Sequence, residues 1–160
     1  MPNIHQAVLI GASAKKVYAA LTTQEGLAGW WTPAATTDGE TATFPFGDSY
    51  FKLMKVTSLI PNQQVNWLCL EAADEWIGTT ISFQLYAVKK EKLYKEHPEL
   101  SDQLNQLKGT DETTLLVFYH DGWKDYTTMF AECSYTWGRF LYSLKLFCET
   151  GKGSPWPRQH

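Results

Sequence analysis

The most regular apolar pattern in the chain lies near its end, between residues 126 and 149. Its apolar residues recur every three or four positions: Phe130, Cys133, Trp137, Leu141, Leu144 and Cys148. This spacing is typical of one face of an amphipathic helix. Gly151 follows, where helices commonly end in a left-handed residue. The pattern therefore predicts a long helix that buries one face.

Upstream of this helix, short runs of alternating apolar and polar residues predict strands separated by turn signals. The expected strands cover residues 4–10, 44–46, 49–60, 64–70, 79–88 and 113–120. Two short helices follow the first strand, one capped by Ser13 and one over residues 23–27. Connections of hairpin length make the sheet antiparallel. We therefore expect an α+β fold in which a curved antiparallel sheet wraps around the long C-terminal helix, with a pocket between them.

The segment 89–109 does not fit this plan, because it is charged and lies between the last two strands. It carries four leucines, Leu93, Leu100, Leu104 and Leu107. Pro98 marks a helix start and Gly109 a helix stop. We expect an amphipathic helix over residues 98–108 that packs on the surface, covers the pocket as a lid or contacts a second copy. No repeat or linker interrupts the rest, so we expect one domain over residues 1–160 that contains this insertion.

The composition argues against several classes of function. Of 160 residues, 44% are hydrophobic and 14% aromatic, including seven Trp, which favours a large apolar interior or cavity. The formal charge of −3 and the lack of a basic run argue against nucleic-acid binding. No apolar stretch approaches the ~20 residues of a membrane span, and the first residues lack a signal-peptide pattern. Cys69, Cys133 and Cys148 lie in apolar segments without CxxC spacing, so we expect reduced thiols and a cytoplasmic protein.

Two regions of the sequence carry a family resemblance. The N-terminal region reads IGASAKKVYAALT over residues 10–22 and EGLAGWW over residues 25–31. The C-terminal region reads TLLVFYHDGW over 114–123, WGRFLYSLK over 137–145 and ETGKG over 149–153. Together they resemble START-like (SRPBCC, helix-grip) domains, and more narrowly the branch homologous to the C-terminal part of the activator of heat-shock protein 90 ATPase. The resemblance covers nearly the whole chain apart from residues 89–109.

This resemblance implies a curved antiparallel sheet that grips the C-terminal helix around an apolar cavity. The superfamily includes lipid carriers, hormone receptors, aromatic cyclases and co-chaperone modules, so the fold alone does not select a function. An aromatic lining with a few polar groups suits a small apolar or aromatic ligand. The expected lining residues are Trp30, Phe44, Phe51, Trp67, Phe83, Phe118, His120, Trp123, Phe130, Ser134 and Trp137. The alternative is that these side chains fill a solid core.

His120 is the candidate for acid–base chemistry, because its strand position places it inward beside Phe118. It also fits a histidine that is held by a hydrogen bond at a strand end. No second titratable residue falls at a spacing that would orient it. The sequence also lacks a Gly-x-Ser-x-Gly elbow, a phosphate-binding loop and metal-ligand spacing. We therefore expect ligand binding with no clear catalytic set, no metal and no cofactor.

Two alternatives remain open. The first is a protein-interaction module, because Leu115, Val117 and Tyr119 make the second face of the last strand apolar. Its partner is a chaperone, as the branch implies, or a second copy in a homodimer. The second alternative is a cyclase- or hydrolase-like enzyme that uses His120.

Overall fold

A seven-stranded antiparallel sheet forms the frame of the computed structural model, which describes residues 2–107 and 112–160. The strands are β1 Ile4–Ile10, β2 Thr36–Thr37, β3 Thr41–Pro45, β4 Phe51–Ile60, β5 Gln64–Glu71, β6 Thr80–Lys89 and β7 Glu112–Asp121. Their order across the sheet is β1, β7, β6, β5, β4, β3, β2. From β2 to β7, strands that are consecutive in the chain are antiparallel neighbours in the sheet, and β1 pairs with β7 to form the edge opposite β2. The predicted curved antiparallel sheet is confirmed.

The helices are α1 Ala14–Thr22, α2 Gln24–Trp30, α3 Lys90–Glu96, α4 Ser101–Gln106 and α5 Thr128–Thr150. As predicted, the Ser13 hydroxyl caps α1, accepting a hydrogen bond from the Lys16 N–H at 3.1 Å. Thr127 caps α5 in the same way, and Gly151 ends α5 with a left-handed φ of 83°. The long helix is therefore confirmed, and with it the α+β helix-grip arrangement.

Polar contacts fix α5 against the start of the chain. The Lys145 ammonium donates to the Leu9 carbonyl at 2.7 Å and pairs with Glu149 at 2.7 Å. The same Glu149 carboxylate accepts a hydrogen bond from the Gly11 N–H at 2.8 Å. Because both partners are largely buried, this pair sets the position of α5 along β1.

Aromatic side chains fill most of the space between α5 and the inner face of the sheet. The rings of Trp67 and Phe83 lie 5.0 Å apart, and those of Phe83 and Phe118 lie 5.3 Å apart. Phe118 in turn contacts Trp137 of α5 with a centroid distance of 4.5 Å. These residues are fully buried, so this part of the interior is solid.

The insertion between β6 and β7 covers part of the outer face of the sheet. Its apolar side chains bury a second, smaller cluster: Leu9, Leu93, Leu104 and Leu107, with Leu115 packed against it. The helix predicted over 98–108 is found as a 3-10 turn, Pro98–Leu100, that leads directly into α4, whereas α3, which precedes this turn, was not predicted. The segment 97–100 interrupts the helical pattern because Pro98 lacks the N–H that a continuous helix requires. The predicted end at Lys108 and Gly109 lies outside the described residues.

The close approach of α1 and α2 predicts an effect of a single methyl group. A Cβ at Gly26 would lie 2.5 Å from the Ala20 Cα and 2.6 Å from the Ala20 carbonyl oxygen. Because these atoms are backbone, we expect Gly26→Ala to lower the free energy of unfolding by about 1–3 kcal/mol. Urea denaturation measures the change.

Gly138→Ala is the matched control, because Gly138 lies in the middle of α5 and its added Cβ would meet only the Gln6 side chain, at 3.3 Å. There the higher helix propensity of Ala is expected to leave stability equal or raise it by up to ~1 kcal/mol. Equal stability of Gly26→Ala and the wild type would contradict the close approach of the two helices.

Candidate functional site

A cleft of about 530 Å³ opens between the first turns of α5, the β3–β4 connection and the segment 151–160. The side chains around it are Trp31, Phe46, Tyr50, Lys52, Ala73, Trp76, Met129, Glu132, Cys133, Thr136, Trp137, Phe140, Trp156 and Gln159. Most of them are aromatic or apolar, and the volume lies in the roughly 300–1,000 Å³ range of small-molecule sites. We take this cleft as the candidate site.

Trp31 forms the wall between the cleft and the solid interior. The residue follows the last turn of α2, and only 1% of its surface is exposed. Its ring lies 4.2 Å from Phe44 and 5.9 Å from Trp67 on the core side. It also lies 5.1 Å from Trp137 of α5. Because the neighbours of Trp31 in the core and on α5 are closely packed aromatic rings, core packing holds this wall of the cleft in place.

Lys52 places a positive charge in this aromatic surface. Alternation along β4 turns Lys52 and Met54 inward, and Lys52 is only 9% exposed. Its ammonium lies 4.0 Å from the ring centroid of Trp76, 4.6 Å from that of Tyr50 and 5.1 Å from that of Phe46. It donates a hydrogen bond to the Tyr50 hydroxyl at 2.8 Å. Among residues 2–107 and 112–160, no carboxylate oxygen lies within 4.0 Å of this ammonium.

The segment 151–160 closes one side of the cleft. The Trp156 N–H donates to the Trp31 carbonyl at 2.7 Å, and the Trp156 ring packs edge-on against Phe46 at 5.8 Å. Further along, the Gln159 carbonyl accepts a hydrogen bond from Arg139 Nε at 2.8 Å. Both Trp156 and Gln159 are therefore tied to the body of the fold by hydrogen bonds.

His120 lies behind the cleft rather than at its mouth. Its Nδ1 accepts a hydrogen bond from the Trp137 indole N–H at 3.1 Å, and its Nε2 lies 2.8 Å from the Thr79 hydroxyl. Since Nδ1 is an acceptor, the neutral ring carries its proton on Nε2 and donates it to Thr79. The Thr79 hydroxyl then donates to the Trp76 carbonyl. The whole chain of hydrogen bonds is satisfied and fully buried.

Burial lowers the pKa of His120 from its ordinary value of 6.5 to about 3, and the positive charge of Lys52 adds to the effect. The imidazole is therefore neutral at ordinary pH. With both nitrogens occupied and no surface on the cleft, it holds Trp137 and Trp76 in position.

The cysteines are free thiols. Burial raises the pKa of Cys69 to about 11 and that of Cys148 to about 12. It also raises the pKa of Cys133, which lines the cleft. All three are therefore protonated at neutral pH, which disfavours nucleophilic chemistry. In the described part of the chain, no group of three or more potential ligand side chains comes together as a metal site.

The predicted lining residues occupy several different places. Trp137 lines the cleft. Trp30, Phe44, Trp67, Phe83 and Phe118 lie in the packed interior, as does Trp123, whose ring contacts Trp76 and Phe130. Phe130 and Ser134 lie half-buried on α5 beside the cleft, outside the set of residues around it. Contact of these residues with a ligand stays a prediction.

The inward placement of Phe51 is wrong. Its side chain points to the outer face of β4 and is 45% exposed, because the inward positions of this strand are taken by Lys52 and Met54. Trp31, rather than Trp30, forms the cleft wall, since the Trp30 indole points back to donate a hydrogen bond to the Ala20 carbonyl at 2.9 Å.

The sequence reasoning missed most of the polar and aromatic rim: Phe46, Tyr50, Lys52, Trp76, Glu132 and Trp156. A signal was present for Lys52, because Lys52, Met54 and Val56 have the period of one strand face. The other residues lie in turns or at helix rims, where no period assigns a direction.

A long helix gripped by a concave antiparallel sheet, with a cleft at one end, defines a helix-grip protein. Several solved structures share this fold. A solution structure of the Aha1 dimer from Colwellia psychrerythraea is 35% identical, with a TM-score of 0.73, and the match covers 96% of this chain and 100% of that one. A crystal structure from Staphylococcus saprophyticus is 15% identical, with a TM-score of 0.62 and 95% of both chains covered.

A conserved protein from Enterococcus faecalis is 19% identical, with a TM-score of 0.65, and the match covers 96% of this chain and 74% of that one. At such low identity, this structure and the staphylococcal one show the shared fold alone. No protein-family profile and no curated protein matches the sequence. On the identity and coverage of the Colwellia protein, the chain belongs to the Aha1-like family of START-like domains. Within the described residues, no helix has the length and apolarity needed to cross a membrane.

The buried imidazole predicts a pH dependence of stability. In the unfolded chain His120 regains a pKa near 6.5, whereas in the fold its pKa is about 3. Between these values the unfolded state binds the extra proton, so stability is lost as the pH falls from 6.5 towards 3. This one group is expected to lower the free energy of unfolding by about 2 kcal/mol between about pH 7 and about pH 5.

Chemical denaturation at both pH values, in the wild type and in His120→Gln, measures this contribution. The variant is less stable at both, since Gln replaces the ring imperfectly between Trp137 and Thr79. Between the two pH values, the free energy of unfolding of the variant is expected to fall by about 2 kcal/mol less than that of the wild type. Identical pH dependence of the two proteins would contradict the neutral, buried state of His120.

Proposed function

We propose that this protein binds a small apolar or aromatic molecule in the cleft between the sheet and α5, without a clear catalytic set. The observation that carries the proposal is the aromatic wall of the cleft, formed by Trp31, Trp76, Trp137 and Trp156. A flat aromatic or apolar ligand would replace water against these rings, which favours binding by roughly 25 cal/mol for each Å² of apolar surface buried. Membership of the Aha1-like family supports a ligand-binding or interaction module in general.

Small side chains on facing elements leave the space that such a ligand would occupy. Cys133 and Thr136 lie on the cleft side of α5, and Ala73 lies opposite in the β5–β6 connection. Larger residues at these positions would fill the cleft from both sides. The neighbouring interior is solid, so collapse of the walls into this space would have to move packed aromatic rings.

Filling the cleft is therefore expected to weaken ligand binding. The probe is N-phenyl-1-naphthylamine, an uncharged aromatic dye whose fluorescence rises when it leaves water. We expect the wild type to bind it saturably with about one site, and Cys133→Phe to weaken binding at least about tenfold, which is about 1.4 kcal/mol. Fluorescence titration measures both dissociation constants.

Ala131→Phe is the matched control, because Ala131 is exposed on the same helix and does not line the cleft. It adds a phenyl ring to α5 without filling the site and is expected to bind the dye as the wild type does. No saturable binding to the wild type, or equal binding to Cys133→Phe and the wild type, would overturn the proposed function. Native mass spectrometry of protein purified from its host would identify a resident ligand.

A second candidate function is self-association into a homodimer. The 35% identical Colwellia protein is described as a dimer, which supports the same assembly here. The apolar face of β7 gives this proposal less support than expected, since Leu115 packs against the insertion and Tyr119 stacks on His5 at 4.4 Å. Sedimentation velocity over a wide concentration range is expected to show twice the mass of the chain. A single-chain mass at every concentration would exclude the dimer.

A further inference from the structure

We propose that the cleft selects an aromatic or apolar molecule that carries one negative charge, such as an aryl carboxylate or sulfonate, and that this charge pairs with Lys52. This inference rests on the proposed function, because it names the chemical class of the ligand for the same cleft. It follows from the state of Lys52, whose ammonium is buried among aromatic rings without an anionic partner within 4.0 Å in the described chain.

The contacts that Lys52 makes are all with neutral groups. Its ammonium lies nearest the ring of Trp76, at 4.0 Å, and the face of an aromatic ring attracts a cation through its quadrupole rather than through a full negative charge. The hydrogen bond to Tyr50 is likewise to a neutral group, whereas hydrogen bonds between two ions are stronger. An anion in the cleft would supply the missing opposite charge.

Lys52 and Tyr50 also carry hydrogen-bond donors that have no acceptor among the described residues. The ammonium carries three N–H groups, of which one is used on the Tyr50 hydroxyl. That hydroxyl accepts a second hydrogen bond from the Ala73 N–H at 3.1 Å. Among the described residues its own proton has no acceptor, so Lys52 and Tyr50 together present unused donors to the same corner. Carboxylate and sulfonate oxygens accept from such a pair, whereas a hydrocarbon does not.

The second charged side chain around the cleft acts in the opposite direction. Glu132 lies at the rim on α5 and is exposed to solvent, and its carboxylate is more than 4.0 Å from the Lys52 ammonium. It repels an anion, but more weakly than Lys52 attracts one, because solvent screens an exposed charge. Removing this charge should therefore strengthen the binding of an anion.

Two dyes that differ by a single charged group test the inference. N-phenyl-1-naphthylamine is uncharged, and 8-anilinonaphthalene-1-sulfonate has the same rings and N–H with one added sulfonate. We expect the wild type to bind the sulfonate about tenfold more tightly than the uncharged dye, and each dye to displace the other. Glu132→Gln is expected to increase affinity for the sulfonate alone, by about twofold to threefold.

Lys52→Met keeps the length of the side chain and removes its charge. It is expected to lose the preference for the sulfonate, measured as the ratio of the two dissociation constants, and circular dichroism shows whether the variant is folded. Lys55→Met is the matched control, because Lys55 lies on the same strand, is exposed on the opposite face and carries the same charge. It is expected to bind both dyes as the wild type does.

Each outcome decides one of the two proposals. If the wild type binds both dyes equally, or if Lys52→Met keeps the preference for the sulfonate, the anionic ligand is excluded while the aromatic cleft stands. An equal loss of preference in Lys55→Met would assign the effect to net charge and would also exclude the pairing with Lys52. If neither dye competes for a saturable site, the proposed function itself fails. Should Lys52→Met not fold, the ratio in the wild type and the change in Glu132→Gln decide the question.

Discussion

The packing of Trp31 is the constraint on which the rest of the structure depends. Its ring contacts the sheet through Phe44 and α5 through Trp137, with centroid distances of 4.2 and 5.1 Å. Its carbonyl accepts a hydrogen bond from Trp156, so the segment 151–160 is tied to the same residue. Sheet, helices and C-terminal segment therefore meet at one residue, Trp31, through its indole and its carbonyl. Because this indole is both core and cleft wall, the cleft is shaped by the same packing that stabilises the fold.

The solid core beside the cleft also determines the electrostatics of the site. Burial holds His120 neutral and raises the pKa of the Cys69 and Cys133 thiols, so none of these groups supplies a negative charge near Lys52 at ordinary pH. The Lys52 charge in turn disfavours protonation of His120 and favours the Cys69 thiolate, although burial is the larger effect on both. The resulting site is an apolar surface with one buried positive charge, Lys52, and one solvent-exposed carboxylate, Glu132, at its rim.

The elements of the fold could be predicted from the sequence because each has its own period. The three- and four-residue spacing around Trp137 predicts α5, and the caps at Ser13 and Gly151 lie where the pattern places them. The insertion was predicted only in part, since helical structure does start at Pro98 and run into α4, but the separate helix α3 before it was missed. The restricted backbone of Pro98 fits either the start of a single helix or the turn between two helices. Packing of Leu93 and Leu104 on the sheet selects the two short helices.

By itself the sequence determined the fold class, the gripped helix and a concentration of aromatic residues in the interior. Only the tertiary structure decided which of those residues fill the core and which leave a cleft. Both faces of β4 carry apolar residues, so alternation alone does not choose between Phe51 and Lys52 for the inside. Likewise, Trp30 and Trp31 are adjacent, and the hydrogen bond from the Trp30 indole to the Ala20 carbonyl decides which one reaches the cleft. The physical reason is that a period assigns a face to each residue, whereas the space left open depends on how side chains from distant segments fit together.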